Sequence, residues 1–155
     1  MLQLDIPYII ARTFPEGILV VLAGFILLDT KVSRIKLLKM GLLLGAIVTF
    51  IRMLPINFGV HTVLAMMMYW LIISKISGAK TIQTIITTLK IWIALVLSEG
   101  IYLGVATWIL NLDYEVLTTN EGFEGAIKTL PSLVIFMLIV IIIKLVSKKI
   151  RGKYE

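Results

Sequence analysis

The sequence predicts an all-α polytopic membrane protein, and three observations lead to that prediction. Of its 155 residues, 59% are hydrophobic and 15% are charged, and the mean hydropathy is +1.04. A soluble domain has about 45–50% apolar and about 25% charged residues. This chain is more apolar and less charged than that, as expected for a protein in contact with lipid. The apolar residues fall into five segments whose connections alternate in charge. These features predict one helical domain over residues 1–155, embedded in the lipid bilayer as a multi-pass protein of the cell membrane.

The predicted spans follow from the length that a bilayer requires. A hydrocarbon core of about 30 Å is crossed by about 20 helical residues. The five apolar segments cover residues 6–28, 37–54, 58–74, 88–110 and 130–146. We expect the first span to be retained, because it lacks the basic leader and small-residue cleavage site of a removable signal peptide.

The first span contains the stretch ARTFPEG, which permits two interpretations. Thr13 and Glu16 have capping-box spacing with Pro15 in the first turn, which would begin a helix there. A helix from Thr13 to Asp29 would extend only about 22 Å, whereas one from Ile6 would extend about 35 Å. We therefore favour a crossing helix that contains Pro15, with an interfacial helix and a short span as the alternative.

The fourth apolar segment is too long for one simple crossing. Residues 81–110 would extend about 45 Å as a helix. Its first part, TIQTIITTLK, is rich in threonine and amphipathic. We expect this part to lie along the inner interface before the chain crosses from residue 88. The alternative is a tilted span in which Thr84, Thr87 and Thr88 line a polar groove.

The charges of the connections predict the orientation of the spans. Basic residues follow the first and third spans and fill the C-terminal tail, whereas the connection over residues 111–128 is acidic. The positive-inside rule then places the N-terminus outside and the C-terminus inside. Since orientation accounts for the net charge of +6, we do not expect a nucleic-acid partner.

The residue inventory excludes several kinds of site. The chain has no cysteine and one histidine, His61, so disulfides, thiolate nucleophiles and multi-histidine metal centres are excluded. It also lacks HExxH, GxSxG and Walker A motifs and paired membrane aspartates. We therefore expect no enzyme activity, no metal and no cofactor.

Ionisable residues inside the apolar segments are the candidate functional residues. Such residues are costly in a membrane and usually face a protein interior, a water-filled cavity or one another. The candidates for a ligand-binding or switch cluster in the outer half are Arg12, Glu16, Arg52, His61 and Glu99. Each also has a purely structural interpretation. Arg12 and Glu16 can pair across the proline, Arg52 can reach lipid headgroups, and His61 can make a structural hydrogen bond.

Glu99 is the hardest of these residues to explain structurally, because it lies too deep to reach the headgroups easily. Lys90 is nine residues away, on the opposite face of the same helix, and cannot pair with it. We expect its partner to come from another span, such as Arg12 or Arg52. The alternative is that the Glu99 carboxyl group is protonated at neutral pH.

Two pairs of glycines predict close helix packing. Gly41 with Gly45, and Gly100 with Gly104, have the small-xxx-small spacing that lets helices approach. Such a contact can form within one chain or between copies, so a homo-oligomer is one interpretation.

The stretch IRMLPINFGVHT at residues 51–62, with LAGFILLDTKVSRIKLLKMGLLLG before it, points to a family resemblance. It resembles the multi-spanning N-terminal membrane sensor region of histidine kinases from Gram-positive, spore-forming anaerobes. The matching residues are Glu16, Arg52, Pro55, Phe58, Gly59, His61 and Thr62. The resemblance covers about the first half of the chain, and no kinase domain follows Glu155. It implies either a free-standing relative or the membrane part of a longer protein.

These observations lead to one expected function and two alternatives. The expected function is a membrane-embedded sensory or regulatory module that detects an external or membrane-borne cue and relays it to a cytoplasmic domain or signalling partner. The first alternative is a small integral-membrane transporter or a substrate-binding transport subunit. The second is a scaffold in which the charged groups only fix helix packing.

Overall fold

The structure is a bundle of helices, seen in a computed structural model that describes residues 9–54, 58–108 and 122–151. This described part contains helices and no strand, which confirms the predicted all-α class. The helices are α1 (Phe14–Leu27, preceded by a π-helical turn at Ile9–Thr13), α2 (Arg34–Met53), α3 (Phe58–Ser77), α4 (Thr81–Trp108), α5 (Gly122–Thr129) and α6 (Pro131–Arg151). Most of the acidic connection predicted over residues 111–128 lies outside the described residues.

The first helix passes through the ARTFPEG stretch without a cap. Thr13 has helical backbone angles, φ −67° and ψ −38°, and its side chain makes no capping hydrogen bond. Pro15 has no N–H to donate to the carbonyl of Ala11, and the wider π-helical turn lies at this point of the chain. The helical course from Ile9 to Leu27 therefore agrees with the interpretation that Pro15 lies inside a crossing helix.

Among the described residues, four helical segments are long and apolar enough to cross a membrane, one fewer than the five predicted. They cover Ile9–Leu27, Gly59–Ser77, Thr81–Trp108 and Gly125–Ile150. The predicted span that is not apolar enough corresponds to α2, which is 20 residues long but carries Arg34, Lys36, Lys39 and Arg52. Its charges lower its hydropathy, whereas its length remains that of a span.

The direction of the helices shows how α2 fits into the bundle. Phe14 lies against Gly45 and Ile18 against Gly41, so α1 and α2 are antiparallel. One cavity is lined by Leu27 from the end of α1 and Gln83 from the start of α4, so these ends lie together. Because only three residues separate the end of α3 from the start of α4, the end of α3 lies near the end of α1, and α3 runs parallel to α1. The helix α2 therefore runs back across the bundle beside α1, and the helices α1 to α4 alternate in direction.

The fourth helix is continuous from Thr81 to Trp108, which corrects the expected interfacial segment before residue 88. Thr84, Thr87 and Thr88 are buried in the bundle, and Trp70 Nε1 donates a hydrogen bond to Thr84 Oγ1 at 3.1 Å. Thr84 and Thr88 in turn donate to carbonyls of their own helix. Because threonine hydroxyls can be satisfied in this way, a threonine-rich segment can lie inside the bundle. The alternative interpretation, in which these threonines lie within the span, agrees with the structure.

The core lies where α1, α3, α4 and α6 meet. Val21, Tyr69, Ile91 and Phe136 are fully buried there, one from each helix. The ring of Tyr69 packs against that of Trp92 with centroids 5.7 Å apart. Many large apolar side chains point away from this core and remain exposed, as expected for a surface that faces lipid.

The hydroxyl of Tyr69 gives a first testable prediction. Its side chain is 0% exposed, and its Oη has no hydrogen-bond partner among the described residues. A buried hydroxyl without a partner costs about 1–3 kcal/mol. We expect Tyr69→Phe to raise the midpoint of thermal unfolding in detergent. Tyr102→Phe is the matched control and should lower it, because the Tyr102 hydroxyl donates to the Lys128 carbonyl. A lower midpoint for Tyr69→Phe would contradict the prediction.

Candidate functional site

The candidate site is organised around the guanidinium of Arg12. This side chain is only 5% exposed and lies in the π-helical turn before α1. Its Nη2 donates to Glu99 Oε1 at 3.0 Å, and its Nη1 donates to Ser132 Oγ at 3.0 Å and to the Thr129 carbonyl. One buried cation thus connects α1 with α4 and with the junction between α5 and α6.

A second carboxylate shares the same guanidinium. Glu16 Oε2 lies 3.6 Å from Arg12 Nε, one helical turn further along the chain. One guanidinium therefore faces two carboxylates, which leaves a formal negative charge at the centre. We call Arg12, Glu16, Glu99, Thr129 and Ser132 the Arg12 cluster.

The junction between α5 and α6 supplies backbone acceptors to this cluster. The last carbonyls of a helix have no partner within it, and α5 ends at Thr129. Arg12 donates to the Thr129 carbonyl, and Tyr102 donates to the Lys128 carbonyl. Ser132 also donates to the Thr129 carbonyl, at 2.8 Å. The end of α5 is thus held by side chains from α1 and α4.

The exposure of the charged groups differs across the cluster. Arg12 is 5% exposed and Glu16 17%, whereas the side chain of Glu99 is 46% exposed. Glu99 is 18 residues from Thr81 and nine from Trp108, so it lies in the last third of α4 rather than near its centre. The cluster is therefore accessible from the surface of the bundle through Glu99.

The structure brings together three of the five predicted site residues, Arg12, Glu16 and Glu99. Of the two partners expected for Glu99, Arg12 makes the contact. Arg52 makes no ion pair with any of the described residues. The described contact of His61 is between its Nε2 and the Leu54 carbonyl, at 3.2 Å. This contact ties the start of α3 to the end of α2, as in its structural interpretation.

Two participants were absent from the sequence prediction. Ser132 is 2% exposed and follows Pro131 at the start of α6. The Thr129 carbonyl is a backbone group, so the pattern of residue types does not indicate it. The sequence offers only one indication of either, the hydroxyl residues on both sides of the proline in TLPS. In the part of the chain that the structure describes, no group of three or more histidine, cysteine, aspartate or glutamate side chains could hold a metal ion.

Comparison with known proteins gave no match: no family model, no curated protein and no solved structure matches this sequence. The resemblance to histidine kinase sensor regions therefore stays a prediction.

Proposed function

We propose that this chain is a sensory or regulatory module of the cell membrane in which the Arg12 cluster is the switch. One observation carries the proposal. A single buried guanidinium joins three segments that are distant in the sequence, while one of its partners, Glu99, is about half exposed.

The exposure of Glu99 is what favours a switch over a fixed scaffold. A cationic or hydrogen-bonding ligand can reach the Glu99 carboxylate without unpacking the core. If Glu99 exchanges partners, Arg12 retains only Glu16 and the α5–α6 junction. A buried charge that loses a partner is strongly destabilised, so the segments around Arg12 would rearrange.

The helix α6 is the element that would transmit this rearrangement. It begins next to Ser132 in the Arg12 cluster, and its 21 residues extend about 30 Å to the basic end of the bundle. By the positive-inside rule that end faces the cytoplasm, where a signalling partner would read the displacement. Shifts of helices by about 1–2 Å are typical of such transitions.

The absence of cysteine from the sequence makes this relay directly measurable. Spin labels on cysteines that replace Lys31 and Lys149, both exposed, would report the distance between the ends of α1 and α6 in lipid nanodiscs. The variant Glu99→Gln mimics a carboxylate that has lost its ion pair. We expect it to shift this distance by about 2 Å. A reference pair at Lys39 and Lys75 should keep its distance.

The control for this experiment is Lys80→Gln, which removes an exposed charge at the start of α4 away from the cluster. It should leave both distances unchanged. If Glu99→Gln lowers thermal stability without moving the α1–α6 distance, the cluster is a scaffold and the proposal is wrong. Proton-linked flux in liposomes that disappears in Glu99→Gln would replace the proposal by the transport alternative.

A further inference from the structure

A polar cavity lies at the basic end of the bundle, opposite the Arg12 cluster. It has a volume of about 320 Å³ and is formed by the end of α1, the first turns of α4 and the end of α6. Its polar lining includes Asp29, Gln83, Thr87, Lys90, Lys144 and Lys148, and we call it the inner basic pocket. None of these residues belongs to the Arg12 cluster.

The charges of the inner basic pocket are unbalanced. Three lysine ammonium groups line it against one carboxylate, that of Asp29. Asp29 already forms an ion pair with Lys144, which joins the end of α1 to α6. Lys90 and Lys148 make no ion pair within the described part of the chain. The pocket therefore presents two uncompensated positive charges to whatever enters it.

The depth of the pocket indicates where such a ligand would lie. Lys90 is nine residues after Thr81, which places it about 13 Å along α4 from the basic end. Leu27, Leu28 and Ile86 form apolar parts of the same wall. Cations next to apolar walls at this depth match the boundary between lipid headgroups and acyl chains. An anion held there can carry an apolar tail.

We propose that the inner basic pocket binds a phosphate group. Lysine ammonium groups are common phosphate ligands, and basic pockets between helices at the cytoplasmic side bind anionic headgroups. Gln83, Thr87 and Ser147 line the pocket as well and supply neutral hydrogen-bond donors. The phosphate can come from an anionic phospholipid or from a soluble phosphate, and the apolar walls suit the lipid.

The test compares two double variants of the full chain. Lys90→Gln with Lys148→Gln removes the unpaired charges and keeps the Asp29–Lys144 ion pair. Lys75→Gln with Lys80→Gln removes two lysines near the same end that do not line the pocket. Retention of phosphatidylglycerol against phosphatidylcholine is measured by native mass spectrometry from mixed micelles. We expect each pocket lysine to contribute about a fivefold factor to the preference for phosphatidylglycerol over phosphatidylcholine. The control variant should keep the full preference.

A second arm distinguishes the source of the phosphate. Inorganic phosphate is titrated into protein in nanodiscs of phosphatidylcholine alone and followed by ³¹P NMR. Binding that is lost only in the pocket variant would identify soluble phosphate as the ligand, and selective loss of phosphatidylglycerol would identify the lipid. The proposal is overturned if both double variants lose phosphatidylglycerol equally and the pocket variant does not alter binding of inorganic phosphate. This result would leave the proposed switch at the Arg12 cluster untouched.

Discussion

Replacing Arg12 by alanine is expected to destabilise the bundle by about 3–5 kcal/mol, the range found when one partner of a buried ion pair is removed. The guanidinium is 5% exposed and bonds to Glu99, Ser132 and the Thr129 carbonyl. Without it, Glu16 and Glu99 lose their shared cation, and the start of α1 loses its hydrogen bonds to α4 and to the α5–α6 junction. The measurement is the midpoint of thermal unfolding in detergent micelles, with helix content followed by circular dichroism.

Arg52→Ala is the matched control for Arg12→Ala. Arg52 is half-buried at the end of α2 and forms no ion pair with the described residues, so its removal should change stability by about 0.5 kcal/mol or less. Equal losses for the two alanine variants would contradict the role assigned to Arg12.

A double-mutant cycle of Arg12→Gln with Glu99→Gln should give a coupling energy of about 0.5–3 kcal/mol, the range found for residues in contact.

The positions of the helices could be predicted from hydropathy more closely than their ends. The predicted span 58–74 begins with α3, and the span 130–146 begins within one residue of α6. Both helices continue further, to Ser77 and Arg151, through lysine and arginine residues. Hydropathy marks the apolar part of a segment, whereas the helix itself ends only where backbone hydrogen bonding stops. These two predicted spans are therefore shorter than their helices.

The start of α4 shows why the polar residues misled the prediction. TIQTIITTLK has the composition of an interfacial segment, yet Thr84 is 0% exposed. Its hydroxyl donates to the carbonyl of Thr81 and accepts a hydrogen bond from Trp70. Composition shows that a side chain is polar, but it does not show whether a neighbouring group already forms a hydrogen bond with its hydroxyl.

The Arg12 cluster illustrates the same limit at the candidate site. Ionisable residues in apolar segments were recognisable one by one, and Arg12 was one of two possible partners for Glu99. The choice between Arg12 and Arg52 depends on how α1 and α2 are rotated against α4, which no local pattern specifies. The contacts with Thr129 and Ser132 depend further on the place where α5 ends, and one of them uses a backbone carbonyl.

The Gly41–Gly45 spacing is explained by the contact between α1 and α2. A Cβ atom on Gly41 would lie 2.5 Å from Ile18 Cα and 2.6 Å from Ile18 Cγ1. A Cβ atom on Gly17 would lie 2.7 Å from the Gly41 carbonyl oxygen. Backbone atoms cannot move aside as a flexible side chain can, so α1 and α2 would have to separate. This spacing therefore serves packing within one chain.

Gly41→Ala is accordingly expected to destabilise the bundle by about 1–3 kcal/mol, the usual cost of overpacking. Gly100→Ala is the matched control, because a Cβ atom there meets nothing within 4 Å. Alanine is favoured over glycine inside a helix by about 1 kcal/mol, so Gly100→Ala should raise the unfolding midpoint. The same gain in helix propensity acts at Gly41. If Gly41→Ala lowers the unfolding midpoint while Gly100→Ala raises it, the difference is therefore due to the steric contact between α1 and α2. If Gly41→Ala stabilises the protein as Gly100→Ala does, α1 and α2 do not approach as closely as their glycines allow.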